Sequence, residues 1–229
     1  MRRLFMLNPL DAPLALDTLL LSLKVLTLAG FLHVALGLPV AYTLSFRFKT
    51  RSLLEGMIML PLVFPPVALG YFLLVVFGKR SPLGAFLSHH LGIEVVFGFW
   101  GVLIAALLAG FPLFVRPVQS AIESLPRELV EASYTLGKGR VETFFRVILP
   151  LVKKSVTAGV ALAVGRGLGE VGMTLMLGGN ISGKTETASL AVYNAVLDGN
   201  FKLAFWLSCL LGVFSLGIFW VLRKSSKTL

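Results

Sequence analysis

Two stretches of this chain carry spacings that cradle phosphate in other proteins. Gly178–Thr185 reads G-x-x-x-x-G-K-T letter for letter, and Gly167, Gly169 and Gly172 read G-x-G-x-x-G. A phosphate-binding loop needs a strand before it, a helix after it and an acidic metal ligand on another strand. Here the first pattern follows a long apolar run and the second lies inside that run, so neither is expected to bind a nucleotide. The glycines at 165, 167, 169 and 172 are expected instead to let helices approach closely in lipid.

Arg166 and Glu170 are the most unusual charges, because they fall in the same apolar run. Four residues apart on a helix, they share one face and can pair. An isolated charge in hydrocarbon is costly, whereas a pair or a water-filled cavity makes it tolerable. Two readings stand open. One is a tether between helices. The other is a gate, with Arg166 offering its guanidinium to a passing anion and Glu170 orienting it. Thr174 and Asn180, further along the stretch, join them as candidate pathway residues.

The remaining polar groups offer less chemistry. Lys24 is expected to snorkel to the outer interface, His33 to pack between helices, and Cys209 to fill space in the last apolar run. His89 and His90 are adjacent, and sequence neighbours rarely converge on one ion, so no metal site is expected. No partner set for acid–base or nucleophilic catalysis is evident, so the chain is not expected to be an enzyme.

The elements that position these residues follow from composition. Of 229 residues, 56% are hydrophobic and 14% charged, and the mean hydropathy is +0.88, far from the soluble average. Val25–Phe46, Gly56–Gly78, Val95–Val115 and Leu203–Leu222 each run for 20 residues or more without a charge. Each suffices to cross about 30 Å of hydrocarbon as a helix. Ser155–Leu177 is as long but contains Arg166 and Glu170. Nothing alternates with period two, so a closed barrel is excluded. The expectation is an all-α membrane protein of about five transmembrane helices, one domain over 1–229.

Prolines refine that picture. Pro61, Pro65 and Pro66 predict a broken or kinked second span, and Pro112 and Pro117 predict that the third ends within Phe111–Pro117. Thr187–Leu197 is too short to cross, which predicts a re-entrant or interfacial helix or an extension of a neighbouring span. The N-terminal stretch, with Arg2, Arg3, Asn8, Pro9 and Asp11, does not have the form of a cleavable signal peptide. Basic residues gather at Arg47, Lys49 and Arg51, within 116–154, and at Arg223, Lys224 and Lys227. The positive-inside rule puts these in the cytoplasm, with the N-terminus outside and the C-terminus inside, although Arg2 and Arg3 go against it. Juxtamembrane cations facing anionic lipid account for the net charge of +10 without nucleic acid. No cytoplasmic domain is expected after Leu229.

Between the third and fourth runs lies a polar, basic, helix-prone insert, 116–154. Pro126 suits a first helical turn. Leu125, Leu129, Val130, Ala132, Ser133 and Leu136 then form one apolar stripe that Gly137 ends. Gly139 separates this from a second short helix, Arg140–Ile148. Such a pair cannot bury its stripe alone and must dock on a partner or on the membrane surface.

With Glu131-Ala132-Ser133, Gly137, Val147 and Leu149-Pro150, the insert resembles the cytoplasmic coupling loop of ABC-importer permease subunits, whose motif runs EAA, three residues, G, nine residues, I-x-L-P. Ser133 stands for the third alanine and Val147 for the isoleucine. The likeness is closest to molybdate permeases and extends over most of the chain. LPLVFPPVALGYFLLVVFGKRSPLG (60–84) looks like their second span and outer loop. GRGLGEVGMTLMLGGNISGKTET (165–187) is similar to their fourth span, with Val171 in place of an aromatic residue. Tungstate permeases share much of that core, and sulfate permeases are more distant.

The resemblance implies a type I importer permease fold in a bacterial or archaeal cytoplasmic (inner) membrane. It also implies alternating access without chemistry on the substrate. Two copies would line the path, joined by two ATP-binding cassette ATPase subunits and an external oxyanion-binding protein. Glu131, Ala132, Ser133, Gly137, Leu149 and Pro150 would couple to the ATPase, which alone would use ATP and magnesium. The chain itself would bind no cofactor. A stand-alone secondary transporter usually shows an inverted repeat of spans, and five spans with one insert leave no room for it.

Overall fold

The computed structural model describes residues 11–227; Arg2, Arg3 and Leu229 lie outside them. Among the described residues every regular element is helical. A first rod joins α1 (Asp11–Leu32), a π-helical turn (His33–Gly37) and α2 (Leu38–Leu44). The second span is two pieces, α3 (Arg51–Val63) and α4 (Pro66–Phe77), bent by 115° at Phe64-Pro65. Pro65 and Pro66 lack the amides that would continue α3, while Pro61 is carried inside α3 without breaking it. A short helix, α5 (Pro82–Leu91), begins at Ser81, whose hydroxyl accepts from the Gly84 amide at 2.9 Å.

The third span, α6 (Phe99–Glu123), does not end at Phe111–Pro117 as its prolines predict. It runs through both. A membrane helix tolerates a lost backbone bond where neighbouring helices pack around it, and Pro112 is buried among them. The fourth span is also displaced. α7 (Arg127–Thr135) is followed by α8 (Arg140–Thr143), a π-helical turn (Phe144–Ile148) and α9 (Leu149–Leu168), the last three forming one rod of 29 residues. The expected span Ser155–Leu177 is therefore interrupted. α9 stops at Gly169, and a separate α10 (Gly172–Gly178) follows. Nor is Arg140–Ile148 a free-standing helix, since it is the N-terminal part of this rod.

α11 (Ala188–Leu197) extends no neighbouring span; it is a separate helix packed on α1 and on α12 (Phe201–Lys227). Its start is fixed by Thr187 and by Ser22 of α1, whose hydroxyl accepts from the Ala188 amide at 2.8 Å. Among the described residues four helices are long and apolar enough to cross a membrane, five if the bent pair α3–α4 counts as one span.

The core centres on α6 and α9, which make the most extensive contact of any two helices. Small residues set their separation. A Cβ on Gly110 would stand 2.5 Å from the Ala163 carbonyl oxygen and 2.8 Å from His33 Nε2. Gly167 meets Ala106, and Gly172 meets Pro66 of α4, as close-approach glycines should. Gly165 and Gly169 do not serve that role: open space surrounds the first, and the second closes α9. His33 packs as expected, buried with Nε2 3.0 Å from the Leu107 carbonyl. Cys209 is exposed on α12 and fills no space in the described bundle. Lys24 is exposed well inside the span that begins at Leu16.

Candidate functional site

The insert forms a pinned elbow. Pro126 caps α7 from outside instead of lying in its first turn, and Glu128 sits in that turn, where a negative charge complements the helix dipole. Gly137 ends α7 at φ +78°, a conformation that strains any residue with a side chain. Its amide donates to the Tyr134 carbonyl at 2.9 Å, and the Lys138 amide to Ser133 at 3.1 Å. Ser133 and Thr143, both buried, share a hydroxyl–hydroxyl bond of 2.9 Å that ties the two limbs together. Glu142 adds an outer tie, receiving Lys138 at 2.6 Å and Arg146 at 3.1 Å.

The apolar stripe of α7 divides between two faces. Leu125 and Val130 pack onto the bundle core with Ile122 and Ile148. Leu129, Glu131, Ala132 and Leu136 are exposed, Leu136 at 78%. Ser133 therefore does not stand beside Ala132 on an outward surface; it locks the elbow from within. Leu149 is half-buried and Pro150 exposed at the start of α9. Behind the elbow a cavity of about 690 Å³ is lined by Arg47, Arg51, Arg127, Glu131 and Tyr134, among others.

Deep in the bundle, the two broken spans meet at their breaks. A Cβ on Gly70 of α4 would stand 2.9 Å from the Met173 Cα, and one on Gly172 the same distance from Pro66. Arg166 and Glu170 do pair, at 2.8 Å, with Glu170 buried and Arg166 partly so. The pairing differs from the expected one. Glu170 lies beyond the end of α9, and its other carboxylate oxygen accepts from the Met173 amide at 2.8 Å, capping α10. One carboxylate thus joins the last turn of one helix to the first turn of the next. Thr174 is buried within α10. Asn180 belongs elsewhere: at φ +52° it exchanges side-chain bonds of 2.6 and 3.1 Å with Asn194, which also donates to Glu186 at 2.7 Å. The four candidate pathway residues therefore form a pair, a packed neighbour and a separate clasp between the 178–185 loop and α11.

The nucleotide-like loop is stitched to itself. The buried Thr185 hydroxyl donates to the Gly178 carbonyl at 2.7 Å and accepts from the Ile181 amide at 2.9 Å. The loop lies between α10 and α11, with no strand before it. Close by, Phe97 adopts φ +59°, donates its amide to Leu177 at 2.6 Å and lays its ring over Gly179. At the same end Lys79 and Glu94 pair at 2.6 Å. The hydrogen bond from Lys79, and then its charge, hold the Glu94 carboxyl below the usual carboxylate range.

One polar cluster escaped the sequence reading. At the elbow end, Arg51 binds Glu55 at 2.8 Å and Glu123 at 2.6 Å. Gln119 Nε2 reaches Glu55 at 2.7 Å, Glu123 at 2.9 Å and the Leu44 carbonyl at 3.4 Å. Arg116 stands 3.7 Å from Glu55. The available signal was spacing: 116, 119 and 123 share a helix face, as do 51 and 55.

Comparison with known proteins places this geometry. Residues 33–226 match the family described as binding-protein-dependent transport system inner membrane component. The molybdenum transport system permease protein ModB of Escherichia coli is 40% identical over 181 residues, 79% of each chain. The probable transport system permease protein NifC of Clostridium pasteurianum is 37% identical over 214 residues, 93% of this chain and 74% of that one. A sulfate transport system permease protein of Salmonella typhimurium is 34% identical over 186 residues, 79% of this chain and 67% of the other. In fold, the chain resembles the inward-facing MetNI methionine ABC transporter, with a TM-score of 0.75 at 16% identity, covering 97% of this chain and 99% of that one. The family match spans most of the described bundle, elbow included, and the chain belongs to the family of binding-protein-dependent transport system inner membrane components.

Proposed function

We propose that this chain forms half of the translocation path of an ATP-driven oxyanion importer, with molybdate as cargo. The observation that carries the reading is 34–40% identity, over most of the chain, to molybdenum transport permeases of several bacteria. Tungstate has nearly the same size and charge and is the alternative cargo. Sulfate is a weaker one, supported by the sulfate permease relative. The chain catalyses no bond-making step and holds no cofactor. ATP and magnesium belong to a separate ATPase, two of which would grip the elbows of two copies of this chain, and an external binding protein would deliver the anion. The N-terminus would lie outside and the C-terminus inside.

Each residue then has a part. The ridge of Leu129, Glu131, Ala132 and Leu136 meets the ATPase, and Gly137 gives the turn that presents it. Ser133, Leu149 and Pro150 hold the elbow to α9, so a push on the ridge reaches the bundle. Arg166 and Glu170 lie on the path where α9 breaks, and Thr174 and Asn180 support α10 above them. ATP binding would favour the outward-open arrangement and hydrolysis the inward-open one, a two-state equilibrium biased from distant sites.

The test is reconstitution of the chain with its ATPase and binding protein in proteoliposomes. Molybdate-loaded binding protein should accelerate ATP turnover more than the sulfate-loaded form, and Gly137→Val should abolish uptake and ATPase association while the chain still inserts. Equal stimulation by all three anions would remove the cargo assignment. Uptake driven without any ATPase would remove the importer reading itself.

A further inference from the structure

α3 is loosely anchored to the bundle. Of its thirteen residues only Pro61 is buried, while Leu53, Met57, Leu62 and Val63 are exposed at 68, 62, 50 and 84%. Its one substantial helix contact is with α6. The polar cluster lies at the start of α3. There Arg51 grips Glu123 of α6 and Glu55 of its own helix, and Gln119 of α6 reaches Glu55, Glu123 and the last carbonyl of α2.

We propose that Arg51, Glu55, Gln119 and Glu123 are positioning residues forming a latch that makes α3 move with α6, and so with the elbow. The inference rests on the importer reading and deepens it. Three observations carry it. First, Glu123 is the last residue of α6, and α7 starts at Arg127, so the latch sits one short turn from the elbow. A displacement there is felt at Glu123 before it reaches the interior. Second, Gln119 is 1% exposed and its amide nitrogen faces three acceptors with two protons. Its bonds can therefore be exchanged among α2, α3 and α6 as these helices shift, a property a purely apolar contact lacks. Third, α3 ends at the break before α4, and α4 lies against α10, next to the Arg166–Glu170 pair. The chain of contacts runs from elbow to latch, latch to α3, α3 to α4, and α4 to the break in α9–α10.

A helix held this way serves as an output arm. Its exposed apolar side costs little to move through lipid, since one hydrocarbon surrounding replaces another. Its charged end does not slide freely, because parting Arg51 from two carboxylates leaves charges unpaired in a partly buried site.

The test uses the assembled transporter, with Glu55→Gln and Glu123→Gln combined so that volume is kept and charge removed. Expected is ATP hydrolysis within about twofold of the parent but anion uptake per ATP lowered about tenfold or more, that is, uncoupling; about tenfold corresponds to 1.4 kcal/mol of lost coupling. Unchanged stoichiometry, or uptake and hydrolysis falling in proportion as a merely weakened fold would give, overturns the latch. A second measurement does not depend on transport. In the purified chain with Cys209→Ser, spin labels at Leu53 and Glu128 should give a narrow distance distribution that broadens in the double variant; an unchanged width refutes the anchorage. If the double variant does not insert, Arg116→Ala, which touches only the 3.7 Å edge of the cluster, should give a partial loss of stoichiometry, and no loss overturns the proposal. Absence of ATP-driven uptake in the parent would count against the importer reading, leaving the spin-label result to decide the latch.

Discussion

α6 and α12 are both long apolar helices, yet they meet opposite surroundings. Of the most apolar eighteen residues in each, 61% are buried in α6 and 11% in α12. Hydropathy cannot tell them apart, because lipid and protein interior are equally apolar. Small residues can. α6 presents Gly101, Ala105, Ala106, Ala109 and Gly110 as a buried stripe against α9, α10 and α1, whereas Gly212 and Gly217 of α12 face open space. In lipid, helices associate where backbones can approach, so the stripe and not the oiliness marks the core. The bare side of α12 is where lipid or another chain must lie.

The contrast can be broken most severely at Gly110. Gly110→Leu sets side-chain atoms against a backbone carbonyl that has little room to give, so its cost should exceed the about 1–3 kcal/mol typical of overpacking. Loss of membrane-inserted monomer in a detergent-solubilised preparation is the expected result. Phe114→Ala, at a fully buried ring of the same helix, should cost about 3–5 kcal/mol through the cavity left behind, read as a fall in thermal midpoint. Ser133→Ala strands the Thr143 hydroxyl inside the elbow and should cost about 1–3 kcal/mol. Ala132→Ser, exposed one residue earlier, should leave the midpoint unchanged, so equal shifts for the two would refute the inward placement of Ser133. Val213→Ala, 69% exposed on α12, should stay within about 0.5 kcal/mol.

The smallest effect is expected outside the spans. The Glu94 carboxyl is depressed by Lys79, so the pair's contribution is present above the ordinary carboxylate range and is lost as pH falls through the folded-state value. Both partners are mostly exposed, and solvent screens them. Lys79→Ala should barely move the midpoint at neutral pH, with the difference vanishing in acid.

Much of this arrangement was legible from residue order. Long uncharged runs located the crossings, Pro65 and Pro66 located the break, and Gly137 located the turn of the elbow. What was not legible depended on partners distant in sequence. Pro112 and Pro117 looked like a terminus because their local cost is visible and the surrounding helices are not. Glu170 looked like one face of a continuous helix because spacing says nothing of a break two residues earlier. Ser133 sits on the apolar stripe in any helical projection; only Thr143, ten residues on, decides which way it is used. The latch escaped notice because Arg51 and Glu123 lie 72 positions apart and each alone resembles an ordinary juxtamembrane charge.

The bend of 115° between α3 and α4 also bears on the bilayer. At 1.5 Å per residue the two pieces are about 20 and 18 Å long, and turned so sharply they reach only about 20–25 Å from end to end. The surrounding hydrocarbon is about 30 Å thick. Acyl chains beside this corner must therefore shorten or splay, so lipids of short chain length should gather there and uptake should fall as reconstituted membranes are made thicker.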